Sequence, residues 1–467
     1  MEVDIKNLGA IKSAHFDLSK RLTVFCGPNN SGKTYAAYMA YALTKSGMKY
    51  FKSEESIFVQ DLIKNQKANF ELITDSIWNY RRDEIKSLNK SLGSIYGVSE
   101  DIANNLFKDF SISIAETKKE FDANILRMNF SNELKINDVT IEILKKVDSR
   151  EINLKLKDTV ISKSSIEILE LFLTSKLFSL IAFYPFTSSY ILPVERNSIY
   201  TFSKELSIQK QEFLERAQEL GSKKNNRDPF HWYLKKSTRY PMPIRDGLEV
   251  AEDLNNYSKT KSEFYSFAEE IENELLNGKV IVTKDGDVQF SSNKAKRKKI
   301  PIHLTASIVK TLSSLIFYLK HIATKNELII IDEPELNLHP NNQVYLARIF
   351  ARLINQGFRL IISTHSDYII RELNNLIMAS SLKRTEPLKF NSFTYSKEYF
   401  LDFKTVGAYL FNFKNPTSRN VTISPIPISK SGFDVETIDD TIDELNDISE
   451  ELFYALQNQK TLESTKE

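Results

Sequence analysis

Gly27-Pro28-Asn29-Asn30-Ser31-Gly32-Lys33-Thr34 reads G-x-x-x-x-G-K-[ST], the pattern of a phosphate-binding loop. An apolar run, Leu22-Thr23-Val24-Phe25-Cys26, precedes it and predicts a strand, and residues 35–44 predict a helix. That strand–loop–helix order gives the motif its mechanical meaning. Gly27 and Gly32 let the backbone wrap closely, so that the loop N–H groups, those of Asn29, Asn30 and Ser31 among them, face a phosphate. Lys33 supplies a point charge for the β- and γ-phosphates, and the Thr34 hydroxyl is a Mg²⁺ ligand. The chain has only 13 glycines in 467 residues, so a chance match in this context is rare. Nucleotide binding is the expectation, and the loop serves ATP and GTP alike.

Far downstream, Glu327-Leu328-Ile329-Ile330-Ile331-Asp332-Glu333-Pro334 is an apolar run ending in paired carboxylates. It predicts a buried parallel strand whose C-terminal tip carries the acidic pair, where open α/β sheets bind ligands. Asp332 is placed to hold Mg²⁺ through water opposite Thr34, and Glu333 to polarise an attacking water. The plainer alternative is a strand followed by an acidic turn. Phe358-Arg359-Leu360-Ile361-Ile362-Ser363-Thr364-His365 predicts another core strand with a polar tip. His365 is expected there to sense a γ-phosphate rather than to serve packing alone.

Composition sets the bounds. A chain of 467 residues is expected to hold two or three substructures. Apolar residues make up 41% and charged residues 27%, the balance of an ordinary globular protein. Lys+Arg 63 against Asp+Glu 61 leaves +2, so any nucleic-acid binding would need a local basic surface. A single cysteine, Cys26, rules out an internal disulfide and suits a reducing compartment. It is expected as a small buried residue rather than a nucleophile. The first residues lack the basic and apolar regions of a signal peptide. The most apolar stretch, 166–186, is broken by Glu170, Lys176 and Pro185, whereas a bilayer span needs about 20 mostly apolar residues. It predicts a buried helix running into the next strand. A soluble cytoplasmic protein without membrane contact is expected.

Asp332-Glu333-Pro334-Glu335-Leu336-Asn337-Leu338-His339-Pro340, followed by Ser363-Thr364-His365-Ser366, resembles the ABC-type ATPase heads of the SMC, RecF and OLD group. Within that group it is most similar to the compact bacterial AAA-type ATPases related to OLD. Asp4-Ile5-Lys6-Asn7-Leu8-Gly9-Ala10-Ile11 and Leu192-Pro193-Val194-Glu195-Arg196 resemble the same group. The likeness touches residues 1–45, about 190–200, and 300–375. It implies an α/β fold: an ABC-type P-loop NTPase head, with a mixed β-lobe, a parallel-sheet core and an inserted helical subdomain. The implied division is a first head part at 1–50, a helical insertion with β-lobe strands at 51–185, and a core strand, helical arm and hairpin at 186–300. The second head part follows at 301–375, and 376–467 is expected to close the head.

Such heads hydrolyse ATP with Mg²⁺ and take a signature segment from a second subunit. The resemblance therefore implies a homodimer or higher oligomer through the ATP interface. Leu304-Thr305-Ala306-Ser307-Ile308-Val309-Lys310-Thr311-Leu312 is the candidate signature, with Ser307 and Lys310 reaching across. Ile308 stands where the family often has glycine, which moves the contact onto those two side chains. Alternatively Thr305 or Ser307 only caps a helix. Asn337 and His339 fall in the family's D-loop, which meets the partner subunit. Gln60 is the candidate for its Q-loop glutamine.

Elsewhere, residues 51–125 read as polar amphipathic helices, for example over 61–72 and 102–110, without heptads sustained enough for a long coiled-coil arm. Residues 133–160 alternate apolar and polar and predict strands. Residues 200–276 read as helical, and Lys279-Val280-Ile281-Val282 with Val288-Gln289-Phe290 predict a hairpin around Asp285-Gly286. Lys294-Ala295-Lys296-Arg297-Lys298-Lys299 reads either as a track for nucleic-acid phosphates or as a solvated loop. Phe230-His231-Trp232-Tyr233, after the basic stretch 223–227, offers base stacking, with core packing favoured.

Candidate strands at 403–411 and 421–428 lead into an amphipathic helix. Ile438, Ile442, Leu445, Ile448, Leu452 and Leu456 repeat at helical spacing beneath Asp434, Glu436, Asp439, Asp440, Asp443 and Glu444. A solvated acidic face is expected rather than a metal site. OLD-type nucleases carry a nuclease domain after the head. Residues 376–467 are expected to be too few for one, and no Ser-His-Asp, zinc or nuclease constellation is evident. Two functions are therefore expected as alternatives. One is an ATP-driven switch acting through a separate effector, as compact OLD-related ATPases do in bacterial phage defence. The other is a RecF-like repair head that binds DNA itself.

Overall fold

The computed structural model describes residues 1–45, 57–136, 139–157, 163–201, 240–295, 298–382, 388–390, 393–415 and 418–464. Its strands begin with β1 (Glu2–Leu8), β2 (Ile11–Asp17), β3 (Leu22–Cys26), β4 (Lys67–Glu71), β5 (Ser111–Ile114) and β6 (Phe130–Ile136). They continue with β7 (Val139–Lys145), β8 (Glu151–Leu156), β9 (Ser189–Leu192), β10 (Gly278–Val282), β11 (Val288–Ser292) and β12 (Lys299–Pro301). The last are β13 (Leu328–Asp332), β14 (Arg359–Thr364), β15 (Leu388–Phe390), β16 (Phe393–Tyr395), β17 (Val406–Phe413) and β18 (Val421–Ile426).

The main sheet runs β5-β1-β2-β18-β17-β3-β14-β13-β9. From β17 to β9 every neighbouring pair is parallel. The other end is a mixed flank, antiparallel at β17–β18, β1–β2 and β1–β5 and parallel at β18–β2. β3 and β13 are buried at all five positions because both sheet faces are covered, which is why they read as unbroken apolar runs. Alternate residues face opposite layers. Phe25, Ile330 and Ile361 pack with the helices Lys33–Thr44 and Lys163–Ala182. Leu22, Val24, Ile329, Ile331 and Ile362 pack with the helices Ser307–His321, Pro340–Asn355 and Asp367–Ser381.

A second, antiparallel sheet runs β4-β8-β7-β6. Alternate residues of β7 are buried, as the polar–apolar alternation predicts. The 61–72 expectation needs correction. The helix Ile57–Asn65 stops at Gln66, whose φ is 58°, and the chain then enters β4, which pairs with β8. Pairing to a distant strand outweighs local helical spacing there. The helix Glu100–Leu106 also ends before 110, and β5 follows at the edge of the main sheet. The hairpin at 279–290 forms as β10 and β11, and β12 adds a third strand.

β17 and β18 enter the main sheet beside β3. The helix Glu436–Ser464 then rests on the head through Ile438, but Leu445, Ile448, Leu452 and Leu456 stay exposed. The apolar stripe has the helical spacing expected of it, yet it is not packed beneath the acidic face. Among the described residues no helix is long and apolar enough to cross a membrane, and no cluster of His, Cys, Asp and Glu is arranged for a metal. The Phe230–Tyr233 stretch, the basic stretch 223–227, and Lys296 and Arg297 lie outside the described residues.

Candidate nucleotide site

β3 ends at Cys26, a buried thiol held far above its ordinary pKa by desolvation. The chain then turns at Gly27. Its φ is 133°, and a Cβ there would lie 2.1 Å from the Phe411 carbonyl oxygen of β17, so no side chain fits. Asn30 and Gly32 take φ values of 61° and 91°, which curl the loop back to the helix Lys33–Thr44. Gly32 is that helix's N-cap, and no side chain caps it, which leaves its first turn open to an anion. Asn29 and Asn30 are exposed at the loop tip. Ser31 is buried and donates to the Pro28 carbonyl at 2.8 Å.

Lys33 is 5% exposed. Its ammonium donates to the Gly27 and Pro28 carbonyls, each at 2.8 Å, so it lies within the curve of the loop. Burial lowers its pKa, and the charges of Glu333, Asp332 and Glu335 oppose that shift.

Those three carboxylates come from the tip of β13. β14 separates β13 from β3, with Asp332 beside Ser363 and Thr364 beside Cys26 in register. Asp332 is fully buried, and its Oδ1 accepts the Ser363 hydroxyl. Its Oδ2 has no hydrogen-bond partner among the described residues. Burial pushes its pKa up to about 6, against the pull of Ser363 and, less strongly, Thr34. Glu333 is half-buried with φ 46°, and its N–H donates to the Ser363 carbonyl at 3.0 Å.

Glu335 is buried. Its Oε1 accepts the Thr364 hydroxyl and the His365 N–H, each at 2.7 Å, and lies 3.4 Å from His365 Nδ1. His365 itself is 45% exposed, so its ring stands at the surface with one side tied to Glu335.

Two participants escaped sequence reasoning. Arg196 follows the tip of β9, the neighbour of β13, and its guanidinium donates to the carbonyls of Asp332, Glu333 and Pro193. Burial lowers its pKa to about 10, opposed by the neighbouring carboxylates. Glu335 is the second. Both stand in the stretches that carry the family resemblance, 192–196 and 332–340, but nothing local in the sequence assigns them a role.

The signature and D-loop candidates lie on other elements. Ser307 is exposed at the start of the helix Ser307–His321, and Lys310 is half-buried one turn on. Neither Thr305 nor Ser307 caps that helix. Ala306 is its N-cap, and the Thr305 hydroxyl donates instead to the Ile302 carbonyl at 2.6 Å. Asn337 is exposed with φ 61°. His339 is the N-cap of the helix Pro340–Asn355, its Nδ1 accepting from the Asn341 N–H at 3.3 Å. Among the described residues no hydrogen bond joins Ser307, Lys310, Asn337 or His339 to the phosphate loop. Gln60 is exposed on the helix Ile57–Asn65, which packs on β4.

A family model described as AAA ATPase domain matches residues 1–370. Among solved structures, the SMC head domain from Thermotoga maritima is similar at 9% identity and a TM-score of 0.32, covering 91% of this chain and 98% of that one. An SmcHead bound to the C-winged helix domain of ScpA matches at 11% identity and a TM-score of 0.35, covering 92% and 98%. An Smc head domain with an extended coiled coil, bound to the C-terminal domain of ScpA derived from Pyrococcus furiosus, matches at 12% identity and a TM-score of 0.33, covering 96% and 98%. No curated protein matches the chain. The phosphate loop, the parallel core and the acidic strand tip form the expected α/β architecture, an ABC-type P-loop NTPase head.

Proposed function

Since the chain belongs to the AAA ATPase domain family, we propose that it hydrolyses ATP with Mg²⁺ as a switch: two heads close on nucleotide and hydrolysis reopens them. The observation that carries this reading is the buried Oδ2 of Asp332, at a strand tip near Thr34, which has no hydrogen-bond partner among the described residues. An orphaned carboxylate oxygen is costly unless something completes it, and a hard cation does so. Thr34 and Asp332 are the residues that would hold Mg²⁺, directly or through water. Bound there, the cation would neutralise charge on the transferring phosphate.

The chain's own groups divide the remaining work. Gly27, Asn29, Asn30, Ser31 and Gly32 offer backbone N–H groups to the phosphates. Lys33 exchanges two neutral carbonyl partners for charged phosphate oxygens, a stronger pairing. Glu333 takes the proton of the attacking water, its backbone fixed by Arg196. His365, oriented by Glu335, reads the γ-phosphate. Ser307 and Lys310 of one copy approach the nucleotide of the other, with Asn337 and His339 at the same interface. The uncapped N-terminus of the Ser307–His321 helix supports that role, because its N–H groups have no side-chain competitor.

The motif resemblance of 332–340 and 363–366 to compact OLD-related ATPases supports a sensor role in bacterial phage defence, acting through a separate effector. A RecF-like DNA-binding role is favoured by one observation: exposed Lys294, Lys298 and Lys299 lie on the segment leading into the Ser307 helix. The deciding experiment is the solution mass of Glu333→Gln protein with ATP and Mg²⁺, alone and with short duplex DNA. A larger assembly with ATP alone supports the switch, and an unchanged mass overturns it. DNA joining the ATP-bound form gives the role to the repair-type reading.

A further inference from the structure

At the end of the main sheet opposite the phosphate loop, arginines gather around two adjoining cavities. Arg21 immediately precedes β3, and Arg359 is the first residue of β14. Arg81 comes from the helix Thr74–Leu88, and Arg127 ends the helix Lys118–Arg127. The cavities measure about 260 and 220 Å³ and share Tyr184, Pro185 and Arg359. Arg81 and Arg127 line the first and Arg21 the second.

Among the described residues Glu116 is the one carboxylate in either wall, and both its oxygens are committed. Oε2 accepts from Arg81 Nη1 at 2.5 Å, and Oε1 accepts from the Asn124 amide. Arg81 is only 3% exposed, and its Nε is buried with no hydrogen-bond partner among the described residues. Arg359 spends Nη1 on the Ser19 and Lys20 carbonyls. Arg21 and Arg127 form no side-chain hydrogen bond or ion pair among the described residues. Burial lowers the pKa of Arg81 and Arg359, and Arg21 lowers Arg359 further. Arg81 has Glu116 as its counterion and Arg359 feels Asp17, but Arg21 and Arg127 have no ion pair among the described residues, so guanidinium charge around the cavities exceeds the carboxylate charge in their walls.

We propose that these cavities bind a small phosphate-bearing anion, at a site separate from the phosphate loop. Guanidinium groups from four separate segments line these walls, and a planar guanidinium matches the oxygens of a phosphate, which accepts paired N–H bonds. The cavities suit inorganic phosphate, pyrophosphate or a small phosphate monoester rather than a nucleoside triphosphate. β3 spans five residues, which sets the two sites about 17 Å apart along a buried strand. β14 links them a second time, from Arg359 to Thr364.

The test is calorimetric titration of the full chain carrying Lys33→Ala, which disables the phosphate loop, with inorganic phosphate, pyrophosphate and AMP in turn. Expected is binding of at least one probe at one per chain, weakened about tenfold or more by Arg127→Ala. Arg127 is exposed, so its removal leaves the core intact, and Arg21→Ala provides a second surface variant. Phosphate or pyrophosphate binding without AMP identifies a free anion, and AMP binding alone identifies a nucleotide monoester. Absence of binding by all three probes, or binding indifferent to both substitutions, overturns the proposal.

Discussion

Arg196 holds the backbone of Glu333: Nη2 donates to the Glu333 carbonyl at 2.8 Å while Nη1 donates to the Asp332 carbonyl at 2.7 Å. Glu333 needs that hold, because its φ of 46° costs a non-glycine residue about 1–2 kcal/mol. Arg196→Lys keeps a charge but loses the rigid planar fork that sets one N–H group on each carbonyl. The freed carboxylate should wander, and ATP turnover should fall about tenfold or more while ATP affinity changes little. Steady-state hydrolysis and equilibrium binding check both halves, and unchanged turnover would remove Arg196 from the site.

Lys33 and Glu333 should fail in different ways. Lys33→Ala removes the loop's charge and is expected to abolish measurable ATP binding. Glu333→Gln should bind ATP normally and turn over roughly 100-fold more slowly. A fluorescent ATP analogue reports the first and phosphate release the second. Normal hydrolysis by Glu333→Gln would mean the base lies elsewhere.

Asp332 titrates near 6 in the folded chain, against an ordinary value of 3.8. Between those values the folded state holds more protons than the unfolded one. Its contribution to stability is therefore full below about pH 4 and is lost as pH rises through about 6. The difference corresponds to at most about 3 kcal/mol. Asp332→Asn removes this component, so without nucleotide its melting temperature should gain on that of the unaltered protein from about pH 4 to about pH 7. A constant offset across that range would contradict the raised value.

Ser307→Arg places a bulky cation at the start of an uncapped helix. In mixed dimers that pair an unaltered subunit with one carrying both Ser307→Arg and Lys33→Ala, the site that faces the substituted Ser307 is the only one able to bind ATP. Turnover there should fall about tenfold or more. Activity equal to mixed dimers with an unaltered Ser307 would confine that residue to its own subunit.

The elements legible in the sequence are those whose evidence is local. Leu22 to Thr34 and Ile329 to Glu333 read correctly because a strand covered on both faces is a continuous apolar run, and the polar residue ending it stands at the tip. Arg196 was legible only as part of the family-like stretch 192–196; its role was not, since that depends on β9 lying beside β13, a pairing no short window contains. Glu335 looks like one more acidic turn residue until Thr364 and His365 close on it. β4 was misread because it follows a helix after a single left-handed residue, Gln66. For the last helix, spacing showed a stripe but not what lies against it. The arginines around the rear cavities come from four separate segments, and nothing in their local spacing announces a cluster.

The Phe411 carbonyl that rests against Gly27 also bears on how the protein is made. β3 leaves the ribosome more than three hundred residues before its sheet neighbours β14 and β17. A nascent chain that stops before Val406 carries the whole motif but lacks the strand that backs the loop. Until then β3 is an unpaired apolar segment of the kind chaperones shield. Pairing across so long a separation makes assembly of the head intrinsically slow.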